Sequence, residues 1–346
     1  MKRNLLFFSF LILLTAFSSC KKEYITNQYI TNENDSYYSQ KVYLDKDIKE
    51  VTEDIRPAYL KEGDTVAVFA ISNKVTKSEL ATGIAKLQSW GLNVVEAENL
   101  YGDDGRYAGT QSERIEGLQK LLDNPNIRAI IAARGGYGAV QVLPYLDMTE
   151  FMKSPKWMVG YSDLTAFHAL LNNEGVETIH GAMVKSFTDE KSVESLHSAL
   201  FGTLKNHSIA TNSNCIEGEA EGRLVGGNLS IIYSLGGTLY DLNVKNAILL
   251  IEDTGEANYS IDRMLQNLKL SGKLDCIKGV VVGEFINNTQ GSDEPLNEII
   301  KATFESLNIP VMYGVNIGHD TENLSTYLGR TVKLTVGSAT STLSFE

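Results

Sequence analysis

A serine at a strand-to-helix turn is the first residue in this sequence whose surroundings suggest chemistry. Residues 156–165 read KWMVGYSDLT, in which an apolar run passes through Gly160 to Ser162 and a helix-like stretch begins at once. Open α/β sheets bind ligands at the carboxyl ends of their strands, where the first helical amides can stabilise an oxyanion. Ser162 is therefore a candidate nucleophile. Leu164 replaces the last glycine of the usual G-x-S-x-G turn, and simple helix capping by Ser162 or Asp163 would explain the same residues.

A serine nucleophile needs a general base, and the sequence offers five histidines. His319 comes first among them because it follows a strand-like run and a glycine, as a residue at a sheet edge does. His180 comes second, since it closes a short apolar run. His168 falls within the helix-like stretch after Ser162 and suits a packing or surface role, and His197 and His207 lie in a polar region between the two predicted domains.

An acidic residue is needed to orient the base. The apolar run 247–251 delivers Glu252 and Asp253 to the end of a strand, where a partly desolvated carboxylate favours an adjacent imidazolium. Glu252 is the first candidate. Its competitors are Asp253, Glu256 and Asp262.

Glycines after another apolar run could form a wall of the same site. Residues 134–138 read RGGYG, and glycine allows backbone amides to approach a ligand closely. Gly135 and Gly136 are therefore candidates for the oxyanion hole. The segment lacks the lysine of a P-loop and the glycine spacing of a dinucleotide site, and no H-E-x-x-H motif occurs. The sequence predicts neither a metal nor a cofactor.

Alternating strands and helices must position these residues. Strand-like runs at 65–71, 92–97, 127–133 and 157–161 are separated by helix-like stretches at 77–90 and 112–122. This pattern predicts an α/β fold with an open, mostly parallel sheet, followed by a second, partly β-rich α/β domain. The expected divisions are a signal peptide at 1–19, a polar tether at 20–56, a domain carrying the nucleophile at 57–190, a crossing at 191–217 and a second domain at 218–346.

Composition excludes one class of partner. The chain has 346 residues, with 31 Lys and Arg against 43 Asp and Glu, for a formal charge of -12. Such a surface repels nucleic acid. Cys215 and Cys276 lie in the body of the chain, and the sequence leaves open whether they pair.

The N-terminus resembles a lipoprotein export signal. Lys2 and Arg3 precede an apolar run at 5–17, too short for the roughly 20 residues that span a bilayer, and small residues then lead to Cys20. Cleavage before Cys20 and its lipidation would tether the protein to the cell envelope, on the periplasmic side of a membrane. An ordinary secretory signal is the alternative.

Taken together, these motifs resemble the LD-carboxypeptidase family from about residue 60 to 333. The segments that carry the resemblance are RGGYG at 134–138, LPYLD at 143–147, GYSDLTA at 160–166, GRLVGGNLS at 222–230, LIED at 250–253, YSIDRML at 259–265 and GH at 318–319. The resemblance implies a Ser162–His319–Glu252 triad, with an oxyanion hole formed by the Asp163 amide and the Gly135–Gly136 segment. It also implies a homodimer.

The function implied by the resemblance is hydrolysis of an amide between an L-centre and a D-amino acid. The usual substrate in that family is a murein tetrapeptide that loses its terminal D-alanine, and a branch acts on a peptidyl-nucleotide antibiotic in self-immunity. Such enzymes usually work in the cytoplasm, so an export signal favours wall peptides met in the envelope. Two rivals are a catalytically silent, tethered binder of peptidoglycan fragments and an ordinary esterase with an α/β-hydrolase fold.

Overall fold

Thirteen strands and nine helices are assigned in the residues that the structure, a computed structural model, describes: 50–288 and 295–345. The strands are β1 Thr65–Phe69, β2 Asn93–Glu96, β3 Ile127–Ala132, β4 Trp157–Gly160, β5 Thr178–His180, β6 His207–Ala210, β7 Gly218–Asn228, β8 Ile248–Thr254, β9 Gly279–Ile286, β10 Val311–Tyr313, β11 Thr326–Leu328, β12 Thr331–Val336 and β13 Thr340–Phe345. The helices are α1 Lys77–Ser89, α2 Gln111–Asp123, α3 Ala139–Val142, α4 Thr149–Lys153, α5 Thr165–Asn173, α6 Glu190–Leu200, α7 Leu229–Leu235, α8 Asn258–Leu270 and α9 Leu296–Glu305.

The first sheet has six strands in the order β11-β5-β4-β3-β1-β2. All its pairings are parallel except that of β11 with β5. Residues 66–69 of β1 and 157–160 of β4 are buried throughout, as expected for strands covered by helices on both faces. The predicted open, mostly parallel sheet is confirmed.

The second sheet has seven strands in the order β10-β9-β8-β7-β12-β13-β6. Strands β7 to β10 pair in parallel, whereas β12, β13 and β6 add an antiparallel extension. Buried and more exposed residues alternate along β12, because one face packs inward and the other is solvated. This mixed sheet confirms the predicted second, partly β-rich α/β region.

The predicted crossing at 191–217 contains regular structure that its polar composition concealed. Helix α6 buries Val193, Leu196 and Leu200, whose spacing places them on one helical face. Asp189 caps this helix by accepting a hydrogen bond of 2.8 Å from the Ser192 amide. Strand β6 then joins the second sheet beside β13. The domain boundaries themselves remain a prediction.

The N-terminal features fall largely outside the described residues. The predicted signal peptide, Cys20 and residues 21–49 of the tether belong to that part of the chain. At the end of the predicted tether, Ile55 bridges to Val176 and Arg56 forms an ion pair of 2.9 Å with Glu177.

Two further sequence questions are answered within the described residues. Cys215 is a free thiol, so it does not pair with Cys276. None of the helices assigned between residues 50 and 345 is both long enough and apolar enough to span a bilayer.

Candidate active site

Ser162 lies on the sharp turn that the sequence predicted for it. Strand β4 ends at Gly160, and a 3₁₀ turn at Ser162–Leu164 leads into α5. Ser162 has φ of 64°, an uncommon value for a residue other than glycine and typical of strained turns at functional sites. Gly160 has φ of 157°, and a Cβ there would lie 2.4 Å from Leu164 Cδ2. The turn therefore needs glycine at position 160 and presents the serine at the carboxyl edge of the sheet.

The side chain of Asp163 ties this turn to the glycine segment 135–138. Its Oδ2 accepts hydrogen bonds from Ser72 Oγ at 2.5 Å and from the Ala139 amide at 2.8 Å. Burial raises the pKa of Asp163 above its ordinary value, although both hydrogen bonds and the Arg114 charge oppose that shift. The carboxylate thus holds two loops together, and the group of Asp163 that can donate to an oxyanion is its backbone amide.

The glycine segment packs directly on Ser162. A Cβ at Gly135 would lie 3.0 Å from Ser162 Cβ and 3.1 Å from Ser162 Oγ. Gly136 has φ of 133°, and a Cβ there would overlap the side chain of Asn73. Side chains at these positions would fill the space beside the serine, so the two glycines form one wall of the site.

Glu252 and His319 come together across the second sheet. Glu252 is fully buried at the carboxyl end of β8, and His319 follows β10 in a loop. His319 Nδ1 donates a hydrogen bond of 2.6 Å to Glu252 Oε2. In residues 50–288 and 295–345, the other ring nitrogen, Nε2, has no hydrogen-bond partner. A carboxylate thus fixes the ring and leaves Nε2 available to move a proton.

The histidine also lies beside the serine turn. The ring of Tyr161, the residue before Ser162, meets the His319 ring edge-on at a centroid distance of 4.9 Å. Thr165, at the start of α5, accepts a hydrogen bond of 3.0 Å from the amide of Asn228, at the end of β7. The structure thus brings the turn of Ser162 to the edge of the second sheet. It records no hydrogen bond between Ser162 and His319.

The charges around His319 favour its protonated form. Burial opposes the charged ring, but the hydrogen bond to Glu252 and the nearby carboxylates of Glu252, Asp253 and Glu284 raise the pKa of His319 above its ordinary value. Burial likewise opposes ionisation of Glu252, yet the two histidines that face it, His180 and His319, lower its pKa. An ionised carboxylate beside a readily protonated imidazole suits a general base.

The other histidines take different positions. His180, the second candidate base, is fully buried, with Nε2 3.6 Å from Glu252 Oε1. His168 is buried beneath the turn, with Nε2 3.0 Å from the carbonyl oxygen of Gly160. His197 packs against Trp90 and Phe201, and His207 against Phe345.

Among the described residues, the competing acids make no hydrogen bond to the candidate base. Asp253 accepts hydrogen bonds from the Ser230 amide at 2.8 Å and from Asn228 Nδ2 at 3.2 Å, so it organises the start of α7. Burial raises the pKa of Asp253 to about 6. Asp262 accepts a hydrogen bond from Gln266 on its own helix, and Glu256 makes no hydrogen bond to His319.

Sequence reasoning missed Glu284, although the signal was present. Four buried residues, 280–283, deliver Glu284 to the end of β9, as the run 247–251 delivers Glu252 to the end of β8. Its Oε2 accepts a hydrogen bond of 3.1 Å from the amide of Asp320, next to His319. Burial and neighbouring carboxylates raise the pKa of Glu284 to about 7.

No metal site competes with this interpretation in the described part of the chain. There, no group of three or more His, Cys, Asp or Glu side chains is arranged to hold an ion.

Comparison with known proteins identifies the family. Residues 66–181 match the LD-carboxypeptidase N-terminal domain, and residues 221–334 match the LD-carboxypeptidase C-terminal domain. A Bacillus subtilis protein named as a probable murein peptide carboxypeptidase is 32% identical over 285 residues, which cover 79% of this chain and 89% of that protein. The Escherichia coli microcin C7 self-immunity protein MccF is 29% identical over 318 residues, covering 81% of this chain and 92% of that protein.

A solved structure gives the same result. The muramoyltetrapeptide carboxypeptidase from Oxalobacter formigenes superposes with a TM-score of 0.73 at 28% identity, over 81% of this chain and 98% of that one. This chain is therefore similar to these enzymes along most of its length. The similar part includes most of the two sheets, the turn at Ser162 and the Glu252–His319 pair. The chain belongs to the LD-carboxypeptidase family of peptide-bond hydrolases.

Proposed function

We propose that this protein is a serine LD-carboxypeptidase that hydrolyses an L–D amide bond and releases the terminal D-alanine of murein tetrapeptides. The observation that carries the proposal is the hydrogen bond between Glu252 and His319. It leaves His319 Nε2 beside the turn of Ser162 with no hydrogen-bond partner among the described residues. The relatives named above support murein peptides as the substrate class.

The first half of the reaction transfers the acyl group to Ser162. His319 Nε2 takes the proton of Ser162 Oγ as the oxygen attacks the carbonyl carbon of the scissile amide. His319 then gives that proton to the leaving amine of the D-amino acid. Glu252 holds the ring in the tautomer with its proton on Nδ1 and stabilises the imidazolium that forms.

The second half releases the shortened peptide. His319 takes a proton from water, which attacks the ester carbonyl carbon, and then returns the proton to Ser162 Oγ as the ester bond breaks. In both halves, the amides of Gly135, Gly136 and Asp163 are the proposed donors to the tetrahedral oxyanion. One such donor is worth about 3 kcal/mol of barrier lowering.

The proposal includes the location of the protein in the cell envelope and its assembly as a homodimer. A lipid on Cys20 would hold the enzyme on the periplasmic side of a membrane, where wall peptides are met. Cys20→Ser should then release the protein from membranes and abolish labelling by a radioactive fatty acid, whereas unchanged membrane retention would oppose the anchor. A homodimer should give twice the chain mass in light scattering.

The substrate is tested by mass spectrometry of defined stem peptides. The purified protein, incubated with tri-, tetra- and pentapeptide stems, should shorten only the tetrapeptide, by one D-alanine. Ser162→Ala should abolish this product and leave the melting temperature nearly unchanged, because the substitution removes a single hydroxyl. Undiminished turnover by Ser162→Ala would refute the assigned nucleophile.

The likeness to MccF supports a second candidate substrate, a peptidyl nucleotide. Cleavage of an aminoacyl nucleotide analogue in preference to the tetrapeptide would favour self-immunity. Tight binding of stem peptides by calorimetry, with no product from any substrate, would favour the non-catalytic binder. Rapid hydrolysis of simple nitrophenyl esters alone would favour an esterase.

A further inference from the structure

We propose that His180 is a positioning residue, which donates a hydrogen bond from Nε2 to Glu252 Oε1 and so holds that carboxylate in the orientation that His319 requires. The inference rests on the proposed function, because His180 acts on the reaction only through Glu252 and His319.

The backbone of His180 is fixed on both sides next to the serine turn. His180 ends β5 and pairs with Gly160 of β4 on one side and with Thr326 of β11 on the other. The amide of the following residue, Gly181, donates a hydrogen bond of 3.2 Å to the carbonyl oxygen of Gly160. A side chain held this firmly can set the direction of a group that it contacts.

The buried carboxylate of Glu252 lacks a second donor. Oε2 accepts from His319, but Oε1 has no hydrogen-bond partner within the described residues. A buried ionised oxygen without a donor is costly. His180 Nε2 lies 3.6 Å from this oxygen, just beyond normal hydrogen-bond distance, so a small rotation of either side chain completes the bond.

The tautomer of the neutral His180 ring follows from the same contacts. Neither of its ring nitrogens has a partner within residues 50–288 and 295–345. A proton on Nε2 faces a carboxylate, whereas a proton on Nδ1 would be a buried donor without an acceptor, the more costly arrangement. His180 is therefore the Nε2–H tautomer, with a hydrogen-bond donor aimed at Glu252.

The expected effect on pH dependence has a definite sign. The titratable groups that face this cluster are Tyr161, His168, Asp253, Glu284 and His319. A donor on Oε1 draws negative charge away from Oε2, so losing it lets Glu252 act more strongly on His319 and raises the pKa of that ring. Because the base must be deprotonated, the acid limb of the kcat/KM profile moves to higher pH.

Two substitutions of similar side-chain length separate this role from packing. His180→Gln keeps a terminal N–H, whereas His180→Met has a similar length and no donor. His180→Met should lower kcat/KM by about 10- to 100-fold and move the acid limb upward, and His180→Gln should recover most of both effects. Equal rates and equal acid limbs in the two variants would overturn the proposal. His207→Met, at a buried histidine on β6, is the control and should change only the melting temperature.

Nuclear magnetic resonance of histidine nitrogens tests the inference without catalysis. In the wild-type protein, His180 should show the Nε2–H tautomer, and an Nδ1–H tautomer would overturn the proposal even if His180→Met fails to fold. Titration of the His319 ring should give a higher midpoint in His180→Met than in His180→Gln. Both readouts remain valid if no stem peptide is cleaved, so failure of the proposed function is distinguishable from failure of this inference.

Discussion

Glu284 lies where its charge can change the pKa of the candidate base, His319. It shares the carboxyl edge of the sheet with Glu252, one strand away on β9, and its carboxylate binds the amide of the residue after His319. Its negative charge is one of those that raise the pKa of His319. Burial raises the pKa of Glu284 itself to about 7, so this charge develops near neutral pH.

Glu284→Gln should therefore move the acid limb of kcat/KM to lower pH. The substitution preserves the hydrogen bond to the Asp320 amide through the amide oxygen but removes the negative charge, so protonation of His319 becomes less favourable. The measurement is the pH dependence of kcat/KM for a tetrapeptide stem. Glu298→Gln, at an exposed site on α9, is the control for loss of one charge. An unchanged or upward-shifted acid limb in Glu284→Gln would contradict this account.

At the residue level, sequence patterns found the candidates but could not separate the two histidines. His180 and His319 both end short apolar runs near a glycine. The local sequence does not show which of their ring nitrogens will face which carboxylate oxygen of Glu252. That information comes from pairing of β5 with β4 and from the loop after β10. Ser162 was easier to identify, because the strand, glycine and helix that form its turn are contiguous in the chain.

The central element of the site is the turn between β4 and α5. Gly160 allows Leu164 to fold back over the strand end, and this contact directs Ser162 toward the glycine segment. The carbonyl oxygen of Gly160 also binds both the His168 ring and the amide of Gly181. The turn is thus held from beneath and from the neighbouring strand.

Gly160→Ala should impair activity more than the addition of one methyl group suggests. The added methyl group would lie 2.4 Å from Leu164 Cδ2 at a φ unfavourable for alanine, so the turn must shift. We expect a loss of about 1–3 kcal/mol in the free energy of unfolding and a fall of at least about 10-fold in kcat/KM. Denaturant titration and peptide kinetics measure the two quantities.

Gly63→Ala provides the matched control, since Gly63 also has a positive φ, of 87°, but no atom lies within 4 Å of a Cβ there. It should lose some stability and keep full kcat/KM. Equal kinetic losses in both variants would mean that the contact with Leu164 is irrelevant.

The longer elements were predictable because burial imposes a pattern that can be read along the chain. The apolar runs at 66–71 in and after β1, 129–133 in and after β3 and 247–251 at β8 are such patterns, as is the periodic spacing in α1 and α2. Strands β5 and β11 have three residues each, too few for a period. Strand β11 takes its place in the first sheet only by pairing with β5, from which it is separated by 146 or more residues of chain. Helix α6 was not predicted from the sequence, because its apolar face is narrow and the residues on either side of it are polar.

At the scale of the molecule, one strand from the second region of the chain pairs with the sheet of the first, and so joins the two regions that supply the site. Strand β11 follows the loop of His319 along the chain but pairs with β5 at the edge of the first sheet. Just beyond it, buried Arg330 forms an ion pair with buried Glu177, through Nε at 2.9 Å, and packs on the ring of Tyr327. These contacts hold the segment that carries His319 beside the sheet that carries Ser162.

Arg330→Met should destabilise the protein by about 3 kcal/mol, because it removes the buried cation that pairs with the buried carboxylate of Glu177. The ion pair of Glu177 with the more exposed Arg56 would remain. Calorimetric or denaturant unfolding measures this loss. Lys333→Met, which removes an exposed pair with Glu219, should change stability little. Equal stability of the two variants would show that the buried pair does not hold β11 in place.

The measurement that tests the central claim most directly is a comparison of kcat/KM among Ser162→Ala, His319→Ala and the variant carrying both. Residues that act as one catalytic unit are strongly non-additive. Each single change should lower kcat/KM for the tetrapeptide stem by at least about 1,000-fold, and the double change should cost no more than the larger single loss. Losses that multiply in the double variant, or full activity in either single variant, would contradict a shared role for Ser162 and His319.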